Sequence, residues 1–212
     1  MRIYAVADLH GRSRCLARIE AAVERLAPDV VVVAGDLTHR TAPGPVIARL
    51  AALPTRVLAI RGNTDAAVVE TLLAHHARTT SLHLTEVVVD GVSFAGVSGT
   101  LPLPFSNRVG LGEARLCERL APLVRRDTVL VAHPPPRGIL DEVLGGLHTG
   151  SRRLADLVRR TRPALLLCGH IHERPGVAQL EETVVVNCSI ARGEEGALID
   201  YRPPDPPRVE ML

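Results

Sequence analysis

Short apolar runs alternating with amphipathic stretches organise the first half of the chain. Residues 3–7 (IYAVA), 30–34 (VVVVA) and 57–60 (VLAI) are apolar throughout. Runs of this length, bounded by helical patterns, read as strands buried on both faces of a parallel sheet. Residues 14–26 place Leu16, Ile19, Val23 and Leu26 at helical spacing, with Pro28 beyond the end. Residues 45–53 read as a second helix, with Pro43 near its start and Pro54 closing it. Residues 66–76 read as a third. Asp8, Asp36 and Asn63 then stand roughly thirty residues apart, the length of a strand–helix–strand unit.

The pattern changes after residue 80. Residues 84–89 and 92–97 flank Asp90-Gly91, a strong hairpin signal. Residues 98–110 are rich in Gly, Pro, Ser and Asn and read as a loop, in which 101–105 (LPLPF) reads equally as the wall or lid of a cleft or as an ordinary buried loop. A helix at 112–124 and a strand at 129–132 follow, the latter stopped at His133 by Pro134, Pro135 and Pro136. Residues 151–160 read as a helix capped by Ser151, and 165–168 as another buried strand. Residues 177–180, 183–187 and 197–201 read as antiparallel strands closing a second sheet. The expected division is one α/β domain over residues 1–201 and a tail at 202–212, whose four prolines leave it no core of its own.

Composition narrows the classes. The 212 residues suit one domain, and a formal charge of +2 gives no strong field for nucleic acid or a membrane surface. All 25 basic residues are Arg, which excludes a Schiff-base or P-loop lysine while leaving phosphate recognition open. Cys15, Cys117, Cys168 and Cys188 are scattered without a C-x-x-C pair, so free thiols in a reducing cytoplasm are the expectation. A strand beginning at residue 2 leaves no room for a signal peptide, and no apolar stretch nears the ~20 residues of a membrane span.

The chemistry lies at the strand ends. The five apolar runs stop at Asp8-Leu9-His10, Gly35-Asp36, Gly62-Asn63, His133 and Gly169-His170-Ile171-His172. Ligands gather beyond the carboxyl ends of parallel strands. In this order the five resemble the motifs of the calcineurin-like metallophosphoesterase superfamily, over nearly the whole chain. The stretch from Ala132-His133-Pro134-Pro135 through His148-Thr149-Gly150-Ser151 to Glu173 looks most like its small bacterial, class III type phosphodiesterases. The resemblance implies two packed mixed sheets flanked by helices, a four-layer αββα sandwich. It also implies two divalent ions, one held by Asp8, His10 and His172, the other by Asn63, His133 and His170. Asp36 would bridge them with one oxygen to each, and a hydroxide between the ions would attack phosphorus in line. Mixed imidazole and carboxylate ligation suits Mn first, with Fe, Zn or Co as alternatives.

One departure from the family pattern bears on substrate. Many of these phosphatases carry Gly-Asn-His, and that His contacts substrate or protonates the leaving oxygen; here the stretch is Gly62-Asn63-Thr64-Asp65. A threonine hydroxyl is no acid near neutral pH, which favours small or cyclic phosphodiesters, cyclic nucleotides among them, over phosphomonoesters. His148, Asp65 or a metal-bound water would then supply the proton, with Asn63, Arg12 and Thr64 on the substrate. Arg61 reads as solvated, and His39, His75, His76 and His83 as surface or packing residues. The expected partner is a small phosphoester, with a homodimer left open. The competing readings are a broad-specificity phosphomonoesterase and a catalytically weak scaffold of the same fold.

Overall fold

The computed structural model describes residues 1–38, 42–99 and 110–212. Its elements in chain order are β1 (Arg2–Val6), α1 (Ser13–Leu26), β2 (Val30–Ala34), α2 (Pro43–Ala51), β3 (Arg56–Ile60), α3 (Val68–His75), β4 (Thr79–Ser81), β5 (Glu86–Val89) and β6 (Val92–Val97). There follow α4 (Gly110–Leu120), β7 (Val129–Ala132), β8 (Glu142–Val143), β9 (Leu147–His148), α5 (Arg152–Thr161), β10 (Leu165–Cys168), β11 (Gly176–Leu180), β12 (Thr183–Asn187), β13 (Ala197–Asp200) and β14 (Arg208–Met211).

Two six-stranded mixed sheets form the centre, in the orders β14-β13-β1-β2-β3-β4 and β11-β12-β10-β7-β6-β5. Strands β1 to β4 run parallel, as do β6, β7, β10 and β12; the antiparallel members lie at the margins. Period-two alternation decides what each strand buries. Ile3, Ala5, Val30, Val32 and Leu58 of the first sheet meet Phe94, Val129, Val131, Leu165 and Val186 of the second. Tyr4, Val6, Val31 and Val33 face the other way, onto Leu16, Ile19, Ile47 and Leu50 of α1 and α2. Leu130, Leu166 and Val185 face Leu120, Leu154 and Leu157 of α4 and α5. Apolar side chains on both faces of each central strand thus require the four layers.

Two expectations change. Residues 183–187 pair antiparallel with β11, as expected, and parallel with β10 on the other side, but 197–200 leave the second sheet to run antiparallel to β1 of the first. Periodicity reports which face is buried and says nothing of the neighbour. The tail is likewise no loose end: β14 pairs with β13, and Val209 and Met211 pack against the core between the sheets. Its R-V-E-M alternation is a short edge-strand pattern that the prolines before it obscured. Two small elements had no sequence signal, the edge strand β4 and the two-stranded hairpin β8-β9. The 101–105 stretch and His39 lie outside the described residues. The four cysteines are free and buried, and no helix among the described residues is long and apolar enough to cross a membrane.

The carboxyl ends of the central strands in both sheets are stitched together. Ala7 N–H donates to the Cys188 carbonyl at 2.9 Å, Cys188 N–H to the Cys168 carbonyl at 2.9 Å, and Gly169 N–H to the His133 carbonyl at 2.9 Å. Asp8 N–H reaches the Gly35 carbonyl at 3.1 Å. The loops that leave these strands therefore share one edge.

Candidate metal centre

At that edge the chain turns sharply. Asp8, His10, Asp36 and His170 all take the left-handed backbone conformation, with φ between 49° and 69°. Such residues cost about 1–3 kcal/mol each and persist where the surroundings hold them. The turns aim the side chains inward, and two glycines make room for them. A Cβ on Gly62 would run into the carboxylate of Asp36; one on Gly35, itself at φ +97°, would strike the His133 ring.

Asp8 and His133 are fully buried and Asp36 nearly so. His172 Nε2 lies 3.3 Å from Asp8 Oδ1 and 3.5 Å from His10 Nε2. Asn63 Oδ1 faces His133 Nε2 at 3.0 Å and His170 Nδ1 at 3.1 Å. Asp36 lies between these groups, with Oδ2 3.8 Å from His10 Nδ1 and 3.5 Å from His133 Nε2. Its Oδ1 accepts the Thr64 backbone N–H at 2.9 Å. Oδ2 thus faces both ligand groups, while Oδ1 is engaged by the 62–65 turn. Two sets, Asp8 with His10 and His172, and Asp8 with Asp36 and His133, each bring donor atoms within 4.8 Å of one another.

The electrostatics suit a cation. Burial alone would raise the Asp8 carboxyl, but the His172 hydrogen bond and the charges of His133 and His172 hold it below the ordinary range. Burial of Asp36 is likewise outweighed, by His133 and the Thr64 N–H, so it too stays ionised far below its usual range. Against its own burial, His133 is raised to about 9 by Asp36 and Asp8. His170 is lowered to about 4, by burial and then by the charge of His133. His172 is raised by its bond to Asp8, and burial lowers His10. Without metal the cluster gathers positive charge onto His133 and His172, the place a cation would take. Carboxylates, imidazoles and a carboxamide oxygen are a donor set that fits Mn, Fe, Zn or Co better than the oxygen-only shell of Mg or Ca.

The remaining sequence candidates divide. Thr64 is at the centre, with Oγ1 3.4 Å from His10 Nδ1. Arg12 follows the first loop, and its Nη1 donates to the Ala191 carbonyl at 2.9 Å. Asp65 turns its carboxylate to the backbone of two loops. Its buried carboxylate accepts from Leu37 N–H at 3.0 Å, Thr38 N–H at 2.8 Å, Thr38 Oγ1 at 2.8 Å and Gly62 N–H at 2.9 Å. With four donors on its two oxygens, it braces the Asp36 loop against the Asn63 loop. Arg61 is engaged by Glu70 at 3.3 Å rather than solvated. His148 stands on the β8-β9 hairpin, bonded through Nδ1 to Asp141 Oδ1 at 2.7 Å, with no bond among the described residues to the centre.

Two positioning residues escaped sequence reasoning. Asn187, fully buried at the end of β12, donates from Nδ2 to the Ile171 carbonyl at 2.8 Å and so holds the turn carrying His170 and His172. Asp141 is the other. A polar residue ending an apolar strand was the available signal for Asn187; nothing marked Asp141.

Comparison with known proteins bears on family and fold. Residues 1–174 match the family model for calcineurin-like phosphoesterases. An uncharacterised protein of Methanocaldococcus jannaschii is 28% identical over 202 residues, covering 89% of this chain and 88% of that one. The crystal structure of TT1561 from Thermus thermophilus is similar at a TM-score of 0.77 and 19% identity, over 100% of this chain and 97% of that one. A structure described as a novel archaeal phosphodiesterase is similar at a TM-score of 0.59 and 13% identity, over 100% of both chains. At these identities the structural likeness shows the fold.

Proposed function

The chain belongs to the calcineurin-like phosphoesterase family, and from that membership we propose that it is a phosphodiesterase acting on small phosphodiesters at a two-ion centre. The observation that carries this reading is Asp36 Oδ2, which faces His10 at 3.8 Å on one side and His133 at 3.5 Å on the other. Asp8, His10 and His172 would hold one cation, Asn63, His133 and His170 the second, and Asp36 both. Two divalent ions so held would supply Lewis-acid polarisation of a phosphoryl oxygen and a lowered pKa for water. Mn is the ion we propose, on the mixed donor set.

The chain's own residues do the positioning. Thr64 N–H turns the Asp36 carboxylate, Asp65 braces the two loops, and Asn187 fixes the His170–His172 turn. The preference for diesters rests on Thr64, whose hydroxyl beside His10 offers no acid near neutral pH. Among the described residues the phenylalanine and tyrosine side chains, Tyr4, Phe94 and Tyr201, are buried in the core and offer no face on which a nucleobase would stack. That supports a small diester as substrate over one recognised by its base. Four buried free thiols support a reducing compartment.

The test is hydrolysis of bis(p-nitrophenyl) phosphate and p-nitrophenyl phosphate by Mn²⁺-loaded protein, with metal content measured on the same sample. Faster turnover of the diester is expected. A chain that carries two ions and turns over neither ester would refute the reading and leave a scaffold.

A further inference from the structure

Residues 137–149 make an excursion from the edge that carries the metal ligands. Ser151 N–H donates to the Pro135 carbonyl and Arg137 N–H to the Ser151 carbonyl, each at 2.9 Å, so the excursion leaves and returns beside the strand end of His133. On its other side Arg174, two residues past His172, donates from Nη2 to Glu142 at 2.5 Å. The β8-β9 hairpin is thus pinned between the two segments that supply His133, His170 and His172.

Within it stands a carboxylate–imidazole pair. Asp141 is 1% exposed, while the His148 side chain is 47% exposed. Asp141 Oδ2 accepts Gly150 N–H at 2.9 Å, and Oδ1 meets His148 Nδ1 at 2.7 Å. A Cβ on Gly150 would stand 2.8 Å from both Asp141 Oδ2 and the Pro135 carbonyl, a closeness that fixes the carboxylate against the His133 segment. A carboxylate only accepts, so Nδ1 keeps a proton toward Asp141 and Nε2 stays free of that bond. A buried carboxylate spent on orienting one exposed imidazole is more than surface packing requires. Nearer the metal ligands, Asp65 is saturated by four donors and Thr64 is a hydroxyl, so neither supplies a proton.

We infer that His148 is a catalytic residue that protonates the departing oxygen of the phosphodiester, and that Asp141 is its positioning residue; this rests on the phosphodiesterase reading. As water oxygen bonds to phosphorus, the electron pair of the breaking P–O bond passes to the leaving oxygen, which takes the Nε2 proton of His148 in its imidazolium form, while Nδ1 keeps its proton toward Asp141. The water gives up a proton to solvent and the imidazole regains one from it. The products are a phosphomonoester and an alcohol.

The experiment compares bis(p-nitrophenyl) phosphate, whose phenolate departs without a proton, with diphenyl phosphate, whose phenolate needs one. His148→Ala, at an exposed position, is expected to slow diphenyl phosphate by about 100-fold or more and leave the nitrophenyl diester nearly unchanged, with added imidazole restoring the lost rate. Nitrogen-15 spectra of the histidine-labelled chain should show His148 protonated at Nδ1, and Asp141→Asn should relax that tautomer and lower diphenyl phosphate turnover alone. Equal losses on both diesters, no loss on either, or an Nε2-protonated His148 lacking the Nδ1 proton in the parent chain would overturn the inference while leaving the phosphodiesterase reading intact. A parent chain inactive on both diesters would sink the two together.

Discussion

His133 of the second sheet is joined to Ala34 of the first by a hydrogen bond of 2.9 Å from Nδ1 to the carbonyl oxygen, 99 residues apart in sequence. A carbonyl only accepts, so Nδ1 carries a proton in either charge state and Nε2 is the nitrogen presented to Asn63 and Asp36. One bond therefore clips the sheets together at the functional edge and selects the ligating nitrogen.

His133→Ala removes both roles. The expected result is loss of one bound ion per chain, measured by metal analysis, and destabilisation of about 1–3 kcal/mol as the buried carbonyl loses its donor. Unchanged metal content would remove His133 from the ligand set.

Asp36 faces the His10 and the His133 groups with one oxygen. Asp36→Ala should therefore release both ions, and bis(p-nitrophenyl) phosphate turnover should fall by about 1000-fold or more, of the order lost when a preorganised charge is removed. A variant that keeps two ions would show that Asp36 does not bridge.

Gly62 has no room for a side chain, because a Cβ there would run into the Asp36 carboxylate and backbone N. Gly62→Ala should cost about 1–3 kcal/mol by overcrowding and slow hydrolysis by roughly 100-fold through a displaced ligand. Gly44→Ala in α2, where an added methyl meets nothing within 4 Å, is the control and should leave both unchanged or slightly raise stability. Equal behaviour of the two variants, by thermal unfolding and turnover, would contradict the steric account.

Asp65→Asn distinguishes a brace from an acid. The amide replaces one accepting oxygen with an NH₂ group facing donors, so a loss of about 2–4 kcal/mol is expected, with a Tm lower by roughly 4–16 °C for a chain of this size. The pH–rate profile of the residual activity should keep its shape. A profile that loses a limb with little change in Tm would restore Asp65 as an acid.

The metal edge was legible because each central strand is a run of apolar residues ended by a chemically distinctive one. Val30–Ala34 into Gly35-Asp36 shows its face, its end and its ligand in seven letters. What was illegible depends on contacts between distant segments. That 197–200 runs beside β1, or that Val209 and Met211 cover the core, follows from pairings no local period encodes. Asp65 is a case of the same kind: beside Asn63 in sequence it looks like a second acid, and only its bonds to Leu37 and Thr38 reveal a brace. Asp141 becomes visible once the β8-β9 hairpin brings His148 back onto it.

Protons and cations should compete at this centre in a pH-dependent way. In the metal-free chain His133 sits at about 9, above the ~6.5 of an unfolded imidazole. Its contribution to stability is then full below pH ~6.5 and lost as pH rises through about 9. Asp8 and Asp36 are held below their ordinary range, so their contribution is present above pH ~4 and disappears on acidification. His170, lowered to about 4, contributes fully above pH ~6.5 and loses that contribution as pH falls, so chelator-treated protein should have its highest Tm near pH ~6.5 and decline on both sides. A ligating imidazole must give up its proton, so binding of an ion to His133 should tighten by about tenfold per pH unit across the same alkaline range. Chelator competition from pH ~6.5 to ~9 measures the slope, and buffers of different ionisation enthalpy report the released proton by calorimetry. An affinity that stays flat over that range would mean that His133 is neutral before the ion arrives, and that the charge cluster described at this edge is wrong.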